Sequence, residues 1–169
     1  WVTTQEDIEM DMRAALHEWQ IDEVLALLPP TLLSSLEGIT ADGIISLEAH
    51  AQGVYSEDKM PIVDAHLVLK DGKGKYSALP YSFHSLALDA DMHLDMQDEQ
   101  QTMVLIHDLR AHTSKSSLQG NGMVKDLLGN MWIDVQTNLD VNLADARYFL
   151  PEEMLAEGRI KGKLGIQIH

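Results

Sequence analysis

The sequence predicts a mostly β protein: a curved antiparallel sheet, either a groove or an open, sandwich-like arrangement, with short helices near residues 21–28 and 143–156. From about residue 44 onward, apolar and polar residues alternate with period 2, as in strands with one apolar and one solvated face. Turn signals recur between short runs and no strand precedes a long helical pattern, so consecutive strands should pair antiparallel.

A repeated segment organises the chain. Residues 21–44 and 143–162 both read as a short helix, a proline stop and a strand punctuated by glycine. A repeat whose second copy is only beginning near the end of the sequence is typical of a piece of an array of stacked units. We therefore expect residues 1–142 to form one repeat unit and residues 143–169 to start the next.

The first strand needs the repeat for its assignment. Residues 7–16 fit both a strand and a helical stripe, but in the second copy the segment before the helix, 131–142, alternates as a strand. We therefore predict a strand at 7–16 and a helix at 21–28. Further strands are expected near residues 44–52, 61–70, 86–96, 103–113, 118–124, 133–141 and 159–168.

Three local irregularities stand out. Asp71-Gly72-Lys-Gly74 is a hairpin-type turn signal, which predicts that the second long strand ends there. Apolar residues fall on both faces between Met103 and Thr113, which indicates extra burial or a bulge. Gly120 and Gly122 share one face, where backbone or ligand could approach closely.

The last strand, 159–168, should be an unprotected edge or pair with an N-terminal strand of its own or another copy.

Composition excludes several classes of function. The chain of 169 residues is long enough for one domain and has no cysteine, which rules out disulfides and thiolate metal sites. Twelve basic against 27 acidic residues give a net charge of −15, which argues against nucleic acid as a partner. No apolar stretch is long enough for a membrane span in this sequence.

Candidate chemistry is sparse. Asp89, Asp91, His93 and Asp95 project from one strand face, but the loop geometry that wraps Ca²⁺ or Mg²⁺ is missing, which favours a solvated face. The basic run at 159–163 could pair across strands with such a row. The eight histidines show no helical i, i+4 pair, so no metal site is predicted.

No catalytic motif is found either. The sequence contains neither G-x-S-x-G nor a nucleotide-binding glycine loop, and no pair of pocketed carboxylates is evident. We therefore expect a protein that is not an enzyme, with no catalytic residues and no cofactor.

Spaced glycines and prolines carry a family resemblance over about residues 21–168. The segments that carry it are Leu28-Pro29 before Gly38-Ile39-x-Ala41-Asp42-Gly43, Pro61-x-x-Asp64-Ala65-x-Leu67, Gly72, Tyr76-Ser-Ala-Leu-Pro80, Gly120-x-Gly122, and Leu150-Pro151 before Gly158-x-Ile160-x-Gly162. In these features the chain resembles the AsmA-like family of bacterial envelope proteins.

The resemblance implies a location and a partner. It implies a parent protein anchored in the inner membrane by an N-terminal helix absent from this sequence, with this part in the periplasm. Such proteins are similar in build to bridge-like lipid-transfer proteins, whose apolar β-groove carries phospholipid toward the outer membrane and supports its biogenesis. Implied partners are phospholipid or another acyl-chain lipid, further repeat units of the same parent, and other envelope proteins. The family brings no catalytic residues.

The leading hypothesis is therefore that a concave apolar face binds and conducts phospholipid between the inner and outer membranes. The residues expected to contact acyl chains are Leu86, Leu88, Met92, Leu94, Met96, Ile133, Val135, Leu139, Ile160, Leu164 and Ile166. One alternative is a scaffolding β-domain of the envelope with a fully packed core and no ligand, and another is a closed barrel that binds a small molecule. What separates them is whether a second layer covers the apolar face.

Overall fold

One antiparallel sheet dominates the computed structural model, which describes residues 7–26, 38–56, 58–95, 97–127, 129–146 and 157–168. Each strand pairs with the next in sequence, in the order β1 to β8. The strands are β1 (Ile8–Gln20), β2 (Ile39–Tyr55), β3 (Ile62–Tyr76), β4 (Ser82–Leu94), β5 (Met103–His112), β6 (Ser117–Lys125), β7 (Trp132–Asn142) and β8 (Arg159–Ile168). The predicted mostly β, antiparallel architecture is confirmed, and the sheet is open.

The edges of the sheet are β1 and β8. Within the described ranges these two strands do not pair with each other, so the sheet does not close into a barrel. β8 lies at an edge as the sequence predicted, and β1 extends beyond the predicted strand at 7–16 to Gln20.

Two short helices follow strands directly. Helix α1 (Ile21–Leu25) follows β1, and the Glu23 carboxylate accepts a hydrogen bond from the backbone N–H of Gln20 at 3.2 Å, closing its first turn. Helix α2 (Leu143–Ala146) follows β7. Both helices begin where the sequence predicted. α1 ends at Leu25, just before the described turn residue Ala26, and residues 27–28 and 147–156 of the predicted segments lie outside the described residues.

The sequence repeat is also a structural repeat. In each copy a strand leads without a break into a short helix, and the next strand begins after a glycine in the left-handed region, Gly38 with φ 81° or Gly158 with φ 111°. A side chain is strained at such a φ value, which explains why glycine occupies both positions. β1–α1–β2 and β7–α2–β8 are therefore equivalent elements, whereas the division into units at residue 142 stays a prediction.

A nearly buried carboxylate holds α2 against the sheet. Asp145 is 9% exposed and accepts hydrogen bonds from the hydroxyls of Thr113 at 3.0 Å and Ser116 at 2.7 Å, in the β5–β6 turn. Hydroxyl donors satisfy this carboxylate, so its burial costs less than that of a bare charge.

Register divides the sheet into two faces. Two rows of residues that pair across all eight strands define what we call the apolar face; the opposite side is the polar face. The first row is Ala14, Ala49, Ala65, Met92, Val104, Val124, Ile133 and Ile168, and the second is Leu16, Leu47, Leu67, Ala90, Ile106, Gly122, Val135 and Ile166.

The bulge predicted near Met103–Thr113 is present in β5. Asp89 of β4 pairs with Asp108 whereas the next residue, Ala90, pairs with Ile106, so His107 is an extra residue in β5. A bulge reverses the side-chain alternation. Ile106 and Leu109, three residues apart, therefore both face the apolar side.

The predicted turn at Asp71–Gly74 is wrong. β3 continues through it to Tyr76, and the chain reverses just beyond, where the N–H of Leu79 bonds to the carbonyl of Tyr76 at 2.9 Å. Asp71 has φ 51° and the β3–β4 register shifts around Gly72, so the segment is a bulge. Bulges and tight turns both need residues that tolerate positive φ, and sequence patterns confuse them for that reason.

No second layer of described structure packs on the sheet. Ala90, at 3% exposure, is the buried apolar residue of the described chain, and most apolar-face side chains of the central strands are half-buried. The chain exposes 12143 Å², whereas a compact monomer of this mass would expose about 8,300 Å². A fully packed core, as in the scaffolding alternative, does not form within the described residues.

Alanine substitutions at two glycines of the apolar face can test how closely β6 and β7 approach each other. A Cβ on Gly120 would lie 2.5 Å from the carbonyl oxygen of Gln136, whereas a Cβ on Gly162 of β8 would have no neighbour within 4 Å. We expect Gly120→Ala to lower the free energy of unfolding by about 1–3 kcal/mol through overpacking. Gly162→Ala, the matched control, should change it by less than about 0.5 kcal/mol. Urea denaturation measures both, and equal effects would contradict the packing described.

Candidate functional site

The residues expected to contact lipid share one face. All those on described positions lie on the apolar face: Leu86, Leu88, Met92 and Leu94 on β4, Ile133, Val135 and Leu139 on β7, and Ile160, Leu164 and Ile166 on β8. Met96 lies outside the described residues. Nothing in the structure tests their contact with lipid.

Sequence reasoning missed much of this face. Val104 and Ile106 of β5 and Val124 of β6 fill the gap between β4 and β7, and β1 to β3 extend the same rows. The signal was the same period-2 alternation, but the bulge at His107 hid it in β5. The apolar face is therefore continuous across the sheet.

The two apolar rows form a track across the strands. Eight strands give seven spacings of about 4.8 Å, so each row extends roughly 33 Å. A bilayer core of about 30 Å holds two acyl chains end to end, so a row is about twice as long as one chain. None of the sixteen positions carries a side-chain nitrogen or oxygen. The ends of the track are also exposed: Ala14 on β1 is exposed, and on β8 Ile168 is 50% and Ile166 39% exposed.

The polar face carries a set of cross-strand pairs that we call the histidine–aspartate ladder. It links β1 to β2 by one pair, β3 to β4 by two pairs and β4 to β5 by one pair. The pairs are His50–Asp11 at 2.7 Å, His93–Asp64 at 2.6 Å, His66–Asp91 at 2.7 Å and His107–Asp91 at 2.7 Å.

Asp91 is the centre of the ladder. One carboxylate oxygen contacts His66 Nδ1 and the other contacts His107 Nε2, so the side chain bridges β3, β4 and β5. Hydrogen bonds from His107 and His66 lower the pKa of Asp91, and the hydrogen bond to Asp91 raises the pKa of His107. The bulge at His107 brings this side chain to Asp91.

The acidic row of β4 is thus paired, but with different partners than the sequence suggested. Arg159 and Lys161 contact Asp140 of the adjacent β7, with Lys161 Nζ 3.7 Å from its carboxylate. They do not pair with the β4 row, because β8 lies four strands away from β4. Histidines of the neighbouring strands take that place. At the end of the row, Asp95 accepts backbone hydrogen bonds from the turn that follows β4.

Concavity appears on the polar face. One cavity of 770 Å³ is lined mainly by polar-face residues such as His50, His66 and Asp91, and it also touches four residues of the first apolar row, Ala14, Ala49, Ala65 and Met92. A second, of 650 Å³, lies over β5 to β8 and is lined mainly by polar side chains such as Gln136 and Lys163. These two cavities therefore lie mainly over the polar face, and the concavity of the apolar face stays a prediction.

Metal and membrane signals are absent from the part of the chain that the structure describes. There, no group of three or more histidine or acidic side chains is arranged to hold a metal ion. No helix of the same residues is long and apolar enough to cross a membrane.

Comparisons with known proteins add no relative. No protein-family model matches the chain, and no match is found among curated proteins or solved structures. The AsmA-like resemblance stays a prediction from the motifs quoted above.

The Asp91–His107 pair makes stability depend on pH. The folded-state pKa of His107 lies above its unfolded value of 6.5, so this stabilisation is complete below about pH 6.5 and is lost as pH rises through the folded pKa. We expect the free energy of unfolding to fall more steeply between about pH 6 and 8 in the wild type than in His107→Gln. Urea denaturation at several pH values measures this.

The matched control for the pH experiment is His84→Gln, which removes an exposed histidine of β4 that lies outside the ladder. Its pH profile should follow that of the wild type. If the profile of His107→Gln is equally steep, the pair does not contribute as described.

Divalent cations should not stabilise the protein. A ligand at 100 times its dissociation constant adds about 2.7 kcal/mol to stability, which thermal unfolding detects easily. We expect no saturable melting shift with Ca²⁺, Mg²⁺ or Zn²⁺. A shift that Asp91→Asn abolishes would instead reveal a metal site in the ladder.

Proposed function

We propose that this chain binds acyl chains on its apolar face and conducts phospholipid along it, as the periplasmic part of an AsmA-like protein anchored in the inner membrane. The observation that carries the proposal is an apolar face that no described residue covers and that extends across eight strands without a hydrogen-bonding side chain in its two rows. In this proposal lipid moves between the inner and outer membranes and supports outer-membrane biogenesis.

The chemistry of the rows suits a hydrocarbon better than a protein partner. Protein interfaces are enriched in Trp, Tyr and Arg, which supply most of their binding energy. The two rows hold no aromatic and no charged residue, only aliphatic side chains, glycine and Met92. An acyl chain has no polar groups to satisfy, and a flexible methionine adapts to its changing shape.

The energetics favour movement over storage. Withdrawing eight methylene groups from water gives about 6 kcal/mol, which corresponds to a dissociation constant between about 1 mM and 1 μM. An open face covers only one side of the chain, so the gain per carbon is smaller still. Binding of this strength holds a lipid without trapping it.

The open edges support conduction along the sheet. Apolar side chains remain exposed on both edge strands, including Ile8 at 57% and Ile168 at 50%. Within the described ranges, no side chain or loop closes either end of a row. Headgroups would stay in solvent, because the apolar rows offer them no hydrogen-bonding partner.

A scaffolding role in the envelope is the second candidate. The free edges of β1 and β8 favour it, because open strand edges can add a strand from another protein. In that role the apolar face would be covered by a protein layer instead of lipid.

Adjacent residues of β5 provide the test. Ile106 faces the apolar side opposite Ala90, and Leu105 faces the polar side opposite Asp91; both side chains are half-buried. A photo-crosslinking benzoylphenylalanine at Ile106 should capture phospholipid from phosphatidylethanolamine–phosphatidylglycerol vesicles, and the same group at Leu105 should not. Mass spectrometry of the adducts measures both. Leu67 and Val68 of β3 form a second matched pair.

The outcomes separate the candidates. Lipid adducts restricted to Ile106 and Leu67 support the proposal. Equal labelling on both faces, or none on either, would contradict it. Labelling of a co-purified protein from the apolar face alone would favour the scaffolding role.

A further inference from the structure

Both edge strands of the sheet are unusually exposed. All ten residues of β8 and 11 of the 13 residues of β1 are exposed. Their outer backbone groups pair with no described strand. Long free edges of this kind tend to recruit another strand unless charge or proline blocks them.

The two edges carry opposite charge on the same face. Arg159, Lys161 and Lys163 occupy alternate polar-face positions of β8, which places three of the 12 basic residues of the chain on one edge strand. The polar face at the start of β1 carries Glu9 and Asp11, with Asp7 just before the strand. Their charges are therefore complementary.

We propose that β8 of one copy pairs antiparallel with β1 of a second copy, so that the sheet continues from molecule to molecule. The strand directions permit it: eight alternating strands make β8 antiparallel to β1. A second copy displaced sideways, without being turned over, therefore presents β1 in the correct direction. Its apolar face lies on the same side as that of the first copy.

Charge selects a register for this junction. In an antiparallel pair, the numbers of facing residues have a constant sum. The register with a sum of 170 places each of the three cations of β8 opposite a carboxylate of β1 in the other copy. The resulting pairs are Arg159 with Asp11, Lys161 with Glu9 and Lys163 with Asp7. The same register places Ile160 opposite Met10 and Gly162 opposite Ile8 on the apolar face.

Existing pairs leave these charges accessible. Among the described residues, Glu9 and Lys163 make no ion pair, and the side chain of Lys161 is 80% exposed although it reaches Asp140. Asp7 and Asp11 pair with Lys59 and His50, and their side chains remain 56% and 73% exposed. Opposite charges can therefore approach from outside.

The junction joins two different surfaces, so it is head-to-tail, and each copy keeps a free edge to which a further copy can add. It also continues the apolar face across the boundary between copies. The inference stands on the edges alone, and its test contains no lipid, so its failure would leave the lipid proposal untouched.

Sedimentation velocity over a range of protein concentrations and salt provides the test. We expect the wild type to associate with concentration and to dissociate as salt is raised, because the paired charges are exposed. Lys161→Glu combined with Lys163→Glu should weaken association by about tenfold or more. The matched control, Lys70→Glu with Lys73→Glu on the interior strand β3, makes the same charge change and should associate like the wild type.

A charge swap makes the test specific. Asp7→Lys combined with Glu9→Lys should also prevent self-association, but mixing this variant with the Lys161→Glu, Lys163→Glu variant should restore it. A wild type that stays monomeric at low salt would overturn the proposal. So would a β8 variant that associates normally, or a mixture of the two variants that does not associate.

Discussion

Backbone pairing between consecutive strands is the interaction on which the rest of this structure depends. In a two-layer protein the apolar faces of the layers pack against each other and bury their side chains. Here, among the described apolar residues, burial is reached at Ala90, and the face around it is half-exposed. The sheet is therefore stabilised mainly by backbone hydrogen bonds between its seven antiparallel strand pairs. Side-chain contacts between neighbours within each row add to this. Because no described element opposes the apolar face, that face stays available for another molecule.

Ion pairs and bulges keep the two faces distinct. The histidine–aspartate ladder ties β1 to β2 and β3 to β4 and β5 on the polar side, without placing a polar group among the apolar rows. The extra residue at His107 serves both faces, because it restores the apolar alternation of β5 and brings a second histidine to Asp91. One irregularity thus preserves the apolar track and completes the ladder.

Much of the fold was predictable because one pattern, period-2 alternation, is directly imposed by the strand backbone. It predicted most of the strands and the common face of residues as distant as Leu88 and Ile166. The repeated segment, in contrast, decided the assignment of β1 and predicted the edge position of β8. The Asp71–Gly74 segment was misread because a bulge and a turn use the same residues. The ladder was not predictable, since His66 meets Asp91 only in one register, and register depends on long-range pairing. Coverage of the apolar face is likewise a tertiary property that no local pattern reports.

The central claim is that the apolar face meets solvent, and thiol accessibility tests it most directly. The chain has no cysteine, so single replacements at Leu67 on the apolar face, Val68 on the polar face and the buried Ala90 give unambiguous probes. With a water-soluble maleimide on the folded protein, we expect cysteines at positions 67 and 68 to react at similar rates and much faster than a cysteine at position 90. If the cysteine at position 67 instead reacts as slowly as the one at position 90, and reacts quickly only in denaturant, a second layer covers the apolar face. That result would contradict the central claim.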